Sequence, residues 1–340
     1  MNRSKILTIL FISSFSAFSA SSEESYMAPL AKESLLLDVV KSNQQIVTVG
    51  ERGHVLVSED GEKWQQQVIP TLSTLTAVTA VDNQLWAVGH DAVILHQQDQ
   101  GQPWEIQLFA PELEKPLLDV AFLNINEGLA IGAYGTFMRT LNGGESWDTE
   151  VHLGFLHPDD IEYLEELRLE DEEFYRSELV SILPHLNKIL VVDDSIYVAG
   201  ESGLLAKSDD KGVTWQRMDV NYYGSFFDIQ QLDNGDLVAV GLRGNIFKLS
   251  AEDKRWVAIQ SGITSSLNMV MPLPNSQYVA MGNSGNVVCV NGNNVVNAHF
   301  DDGKAINAAV KHENKILLAT AEGIKSVLYS DDESVCEGMN

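Results

Sequence analysis

The chain has 340 residues and a formal net charge of −26, from 22 lysines and arginines against 48 aspartates and glutamates. Such a polyanion has no basic footprint with which to neutralise phosphates, which excludes nucleic acid as a partner class. Hydrophobic residues at 44% and aromatics at 8% are ordinary for a globular protein, and the length suffices for a substantial core in one large domain or two smaller ones.

The first residues read as a leader. Asn2-Arg3-Ser4-Lys5 is positive, residues 6–18 are apolar, and small residues follow to Ser22. This is the pattern of a signal peptide over residues 1–22. The apolar run falls short of the ~20 residues a helical span requires, and no cysteine lies near the cleavage site to carry a lipid. The expectation is export across the inner membrane to the periplasm, with no membrane-spanning segment in the remainder.

An apolar run ending in glycine then recurs along the chain. It appears at Ile46–Gly50, Leu85–Gly89, Leu129–Gly132, Tyr197–Gly200, Leu237–Gly241 and Tyr278–Gly282, and a seventh copy ends in Thr320. Successive glycines keep a nearly constant step, except for the long one from Gly132 to Gly200. Trp64, Trp104, Trp147, Trp215 and Trp256 keep the same beat, each trailing its glycine at a nearly fixed offset. Each unit of roughly 40 residues holds four short strand-like segments separated by turn signals. One such sheet cannot bury both its faces alone, whereas radial stacking buries them, and that is a β-propeller blade. The expected fold is all-β, a seven-bladed propeller of four-stranded antiparallel blades over residues 35–335. Residues 23–34 close the ring, with 24–32 supplying a missing outer strand of the first blade, and residues 336–340 form a tail. Ring closure thus uses strands from both termini.

The long step from Gly132 to Gly200 marks an insertion over 151–184, between blades three and four. Its start reads as a helix with Asp159 or Asp160 as N-cap and Ile161, Leu164 and Leu167 on one side. Ten acids between Asp159 and Glu178 face only Arg168 and Arg176. The expectation is a short acidic helical insertion with a solvated face.

A second motif recurs between several of these glycines and their tryptophans: Ser208-x-Asp210-x-Gly212-x-Thr214-Trp215. Thr140, Asn142, Gly144 and Trp147 form a close copy, and Ser58, Asp60, Gly61 and Trp64 a slightly shorter one. A Ser or Thr hydroxyl and an Asp carboxylate satisfy the amides of a tight turn, glycine supplies positive φ, and the Trp opens the next strand with a large apolar face. Repetition makes this a structural hairpin on one face of the ring. The residues just after the repeated glycines lie on the other face. There Arg52, His90, Asp91, Tyr134, Glu201 and Arg243 exceed what a plain turn needs. They are the candidate partner-binding residues, with solvated turns as the alternative.

No catalytic elbow, zinc helix, phosphate loop or dinucleotide fingerprint is present, and the eight histidines lack ligand spacing. No catalytic residue, metal site or cofactor is expected. Cys289 lies in the strand-like Val287-Val288-Cys289-Val290, where a buried free thiol is the favoured reading and a disulfide with Cys336 the alternative.

The hairpin motif is the Asp-box, or BNR repeat. Seven such blades behind a leader resemble the photosystem II stability/assembly factor-like family, in its non-photosynthetic bacterial type, over residues 35–330 apart from the insertion. The resemblance implies a non-enzymatic, monomeric propeller that binds protein, as an assembly or accessory factor for a membrane protein complex. Photosynthetic members carry an arginine-rich patch, and here Arg52 and Arg243 occupy matching turn positions. The alternative is a sialidase-like glycosidase or a carbohydrate-binding propeller. A sialidase needs three converging arginines, a Tyr/Glu nucleophile pair and an acid/base Asp, for which Tyr134, Glu201 and Asp91 are the available residues.

Overall fold

The computed structural model describes residues 23–43 and 45–329; the leader and the tail expected from the sequence lie outside them. The strands form seven antiparallel sheets. Blade one runs from the inside outward through Leu36–Ser42, Gln45–Gly50, Val55–Ser58 and Gln65–Gln67. The inner strands of blades two to seven begin at Leu75, Leu117, Leu186, Phe226, Leu267 and Ile306. Each inner strand packs beside the next, and the seventh, Ile306–His312, returns to Leu36–Ser42. The chain is a closed seven-bladed propeller.

Every residue of the second strand of blade one is buried, so both faces of the sheet need cover. That cover comes from the neighbours. Val47, Val49 and Ile69 of blade one pack against Leu75, Ala87 and Val93 of blade two. Equivalent clusters fill each junction, the last joining Leu317 and Ala319 to Leu36 and Ile46. The repeated tryptophans belong to these junctions: Trp104, Trp147, Trp215 and Trp256 each pack between their own blade and the one before.

The repeated glycine has a steric cause. Gly89 is extended, at φ −176°, so it is not selected for positive φ. A Cβ there would stand 2.1 Å from the Thr74 carbonyl oxygen, and at Gly50 the same distance from that of Leu35. The approach is close because each inner strand opens with a β-bulge. In blade two, Leu75 and the extra residue Thr76 together oppose Gly89.

Two expectations are corrected here. Blade one completes its own sheet with Gln65–Gln67, so residues 24–32 are not its outer strand. Those residues instead run beside that strand, where Ser25 N–H donates to Ile69 O at 2.8 Å and Gln66 holds the Ala28 amide and the Tyr26 carbonyl. A short 3-10 turn at Ala31–Glu33 then packs on Gly323–Leu328 of blade seven. It is blade seven that has three strands among the described residues. Cys289 is not a free thiol but disulfide-bonded; Cys336 lies outside the described residues.

The insertion forms two helices, α1 (Pro158–Glu170) and α2 (Glu172–Ile182). The N-cap of α1 is His157 rather than Asp159 or Asp160, because Pro158 takes the first helical position, where its missing N–H costs nothing. Asp171 caps α2, its carboxylate accepting Phe174 N–H at 3.0 Å. Leu164, Tyr175, Leu179 and Leu183 bury the hairpin's inner side, and Leu183 lies against Gly135 in the turn of blade three.

Gly89→Ala should destabilise the protein by about 1–3 kcal/mol, the usual cost of forcing an extra methyl into a packed site, measured by urea denaturation. A variant as stable as the parent would show that the Thr74 carbonyl retreats freely.

Candidate functional site

The turn after each repeated glycine closes the same way. In blade one His54 N–H donates to Glu51 O at 2.9 Å, and the central residues Arg52 and Gly53 have φ of 53° and 67°. Two successive positive φ values give the twist of a type I′ hairpin. Glu51 N–H donates to Leu35 O at 3.1 Å, and the equivalent amides of the other six blades do likewise at 2.9–3.0 Å. These bonds hold the turns beside the starts of the inner strands, at one mouth of the central channel. The Asp-box hairpins close the opposite ends of the blades.

Arg52, Asp91, Tyr134 and Arg243 all occupy the left-handed position of their turns, with φ of 53–60°. Arg52 is exposed and lines a cavity with His54. His90 is exposed, and Asp91 accepts the Ser73 hydroxyl at 2.6 Å. Tyr134, 47% exposed, meets the His185 ring edge-on at 4.5 Å, with Lys115 Nζ 6.0 Å from its own ring centre. Burial lowers the Lys115 pKa. Glu201 accepts His185 N–H at 3.3 Å, and its other oxygen lies 3.6 Å from His185 Nδ1. Tyr134 and Glu201 are therefore brought together through His185. Arg243 stands beside Tyr222, whose hydroxyl donates to Leu242 O at 3.4 Å. Arg52 and Arg243 belong to blades one and five, with two blades between them on the shorter way round. They form separate cationic points, and the Asp91 carboxylate is engaged by Ser73 of its own blade rather than by Tyr134 or Glu201.

The Asp-box residues are occupied by their own turns. Ser208 Oγ accepts Gly212 N–H at 2.8 Å, Asp210 accepts Thr214 N–H at 2.8 Å, and Trp215 Nε1–H donates to Gly212 O at 3.0 Å. Ser58, Asp60, Gly61 and Trp64 repeat the pattern, and two amides hold the Asp60 pKa down to about 2. Thr140 accepts Gly144 N–H and Asn142 accepts Ser146 N–H, whereas Trp147 Nε1 has no partner among the described residues. The turns also reach the preceding blade: Arg139 of blade three donates to Lys211 O and Gly212 O of blade four.

The channel itself holds charges that motif searching did not single out. A cavity of about 320 Å³ is lined by the opening residues of all seven inner strands, among them Asp38, Asp119, Lys188 and Asp228. Each junction between blades is tied here by one of two devices. Asp38, Asp119 and Asp228 on blades one, three and five accept the N–H of Val78, Ile189 and Val270 on the next blade at 2.8–2.9 Å. On blades two, four, six and seven the bulged residue donates instead: Thr76, Asn187, Asn268 and Asn307 reach Leu117 O, Phe226 O, Ile306 O and Leu36 O at 2.7–3.0 Å. Lys188 Nζ lies 3.2 Å from Asp119, its side chain still 28% exposed to the channel. Burial opposes its charge, but Asp119, Asp38 and Asp228 outweigh burial and hold its pKa above the ordinary lysine value. Burial pushes Asp38 up to about 6, against the pull of Lys188, and raises Asp228 as well. The signal was present in Leu36-Leu37-Asp38, Leu117-Leu118-Asp119 and Phe226-Phe227-Asp228, an acid at one fixed place in an apolar run.

Among the described residues no helix is long and apolar enough to cross a membrane, and no cluster of His, Cys, Asp or Glu is placed to hold a metal ion.

Asp38 gives a signed pH dependence. Its folded pKa of about 6 exceeds the ordinary 3.8, so between those values the native state binds more protons than the unfolded one. Stability from this group is present at low pH and is lost as pH rises from about 4 through about 6, by on the order of 3 kcal/mol. The stability of the parent relative to Asp38→Asn should fall across that window and level off above it, measured by denaturation at a series of pH values. A flat difference would show that Asp38 titrates normally.

A model of the family described as photosynthesis system II assembly factor YCF48 matches residues 105–299. A photosystem II assembly lipoprotein Ycf48 from Prochlorococcus marinus (strain MIT 9312) is 27% identical over 195 residues, covering 48% of this chain and 54% of the relative. Its counterpart from another strain of that species is 25% identical over 202 residues, covering 52% and 57%. The chain spans about half the length of the curated relatives it matches. Among solved structures, YCF48 bound to D1 peptide aligns with a TM-score of 0.66 at 14% identity, covering 94% of this chain and all of the other. YCF48 from Cyanidioschyzon merolae gives 0.65 at 16%, covering 88% and 97%. The WD40 propeller domain of Doa1 gives 0.64 at 12%, covering 93% and 96%.

Proposed function

The chain belongs to the photosynthesis system II assembly factor YCF48 family, and from that premise we propose that it is an exported, non-enzymatic propeller that binds a segment of a partner protein. In this reading it is an assembly or accessory factor for a membrane protein complex, working from the periplasmic side. The observation that carries the proposal is the family match, which runs from the outer strand of blade two to that of blade six. The fold neighbour bound to a D1 peptide agrees with a propeller that takes a protein segment.

The channel-mouth face is the proposed contact surface. Its turns place Arg52, Tyr134 and Arg243 in a left-handed backbone that favours Gly or Asn, at roughly 1–2 kcal/mol per bulky residue. A plain turn gains nothing from such side chains, whereas a binding surface does. A protein of charge −26 presents these arginines as isolated cationic points, suited to acidic groups of one partner rather than to a polyanion.

The test is a pull-down from solubilised membranes with the wild type and an Arg52→Ala/Arg243→Ala double variant. The double variant should lose the main membrane partner while keeping wild-type stability. Identical partner sets would remove this face from the proposal.

A further inference from the structure

Where the insertion begins, it walls two adjoining cavities of about 300 Å³ each against the outer strand of blade four and the loop that follows it. His157, Arg217 and Tyr223 line both, so the two form one groove on the rim of the ring. Arg217 ties its walls together, donating to Phe155 O at 2.8 Å on the insertion and to Ser202 O on the blade-four turn. Its other N–H groups remain for whatever enters. The loop from Asp219 to Gly224 is fixed at three points. Gly203 N–H donates to Gly224 O at 2.7 Å, Asn221 N–H to the Asp219 carboxylate at 3.2 Å, and the Tyr222 hydroxyl to Leu242 O at 3.4 Å. The Tyr222 ring packs on Phe226 and Phe247, 5.0 and 5.2 Å between ring centres. Tyr223, next in the chain, is turned outward. It is 79% exposed, and among the described residues its hydroxyl has no partner and its ring stacks on no other. The loop thus presents a flat apolar surface at a set place on the edge of the groove.

We propose that this groove binds a neutral oligosaccharide, with Tyr223 as the platform on which a sugar ring stacks. A sugar ring has an apolar C–H face and a rim of hydroxyls. The face calls for an aromatic ring. Each hydroxyl is donor and acceptor at once, and so calls for both kinds of group. Asp219 supplies acceptors, Arg217 supplies donors, and the Asn221 amide supplies both. Charge narrows the class further. Asp159, Asp160 and Asp219 disfavour an anion, and Arg217 between the two cavities disfavours a cation. Each cavity lies at the lower end of the range that small-molecule sites occupy, so the pair in line suits successive units of a chain rather than one bulky ligand. The groove exists because the insertion supplies one wall of it. Neither Arg52 nor Arg243 lines it, so the proposal stands apart from the protein-binding face.

The experiment titrates the full chain, as its host produces it, by isothermal titration calorimetry. The neutral probes are cellotetraose, maltotetraose, chitotetraose, mannotetraose and xylotetraose, and sialyllactose is the anionic one. At least one neutral probe should bind, and sialyllactose should not. Tyr223→Ala should weaken that probe by roughly 10- to 100-fold, the worth of leaving one aromatic face uncovered, while Tyr223→Trp should hold it at least as well as the parent. Asp219→Ala should weaken it by about 10-fold, the worth of a hydrogen bond to a charged group. Both side chains are exposed, so these variants should unfold thermally with the parent. The Arg52→Ala/Arg243→Ala double variant should bind the probe as the wild type does, which separates this groove from the protein-binding face. Binding of no probe, a preference for sialyllactose, or an affinity unchanged in Tyr223→Ala would overturn the proposal. So would loss of the probe in the double variant, which would place the sugar at the channel mouth instead.

Discussion

A four-stranded blade has two apolar faces and can bury neither by itself, so the apolar core of this chain lies across the boundaries between blades. The apolar clusters lie at the junctions. The repeated tryptophans pack backward onto the preceding blade, and the Asp-box turns receive donors from it. At the channel wall the constraint is sharpest. Each inner strand begins with a bulge, and in blades one to six the glycine opposite it leaves no room for a Cβ, while blade seven has Thr320 there. The bulge in turn frees one side chain, or the carboxylate beside it, to bond the next strand of the ring.

Those channel bonds explain why acids are tolerated in the interior. Asp38, Asp119 and Asp228 each accept a backbone N–H from the next blade, which offsets part of the cost of burying a charge. Lys188 offsets more for Asp119 than for Asp38, whose raised pKa records the shortfall. Position along the ring thus decides charge. Blades one, three and five use a carboxylate, and the remaining four use a hydroxyl or an amide.

The two mouths of the channel divide the labour. On one, the Asp-box polar groups are consumed by their own turns and by the preceding blade. On the other, the turns keep a constant backbone while their side chains vary. Arg52, Tyr134 and Arg243 are free to differ there because the fold asks only for two positive φ values and one amide bonded to the inner strand. The acidic helices α1 and α2 lie beside this second mouth, through Leu183 against the blade-three turn.

Much of this was legible in the sequence, because it is repeated. A glycine followed at a nearly fixed offset by a tryptophan, again and again along the chain, requires one unit per blade. From that unit follow the propeller, the place of the insertion and the two families of turns. What does not repeat was not legible. Nothing local says that residues 24–32 clasp blades one and seven instead of adding a strand, since the same polar stretch suits either. His157 takes the cap of α1 from the aspartates because Pro158 alone settles which residue is first. The channel charges were visible as letters but not as a group, because residues 38, 119, 188 and 228 meet only when the ring closes. The pairing of Tyr134 with Glu201 depends on His185 between them, and the distance between Arg52 and Arg243 depends on the count of blades separating them. Composition and period determined the architecture, since burying two faces per blade admits few solutions. Which side chains converge was decided by the tertiary structure, since ring closure brings together residues that no local pattern relates.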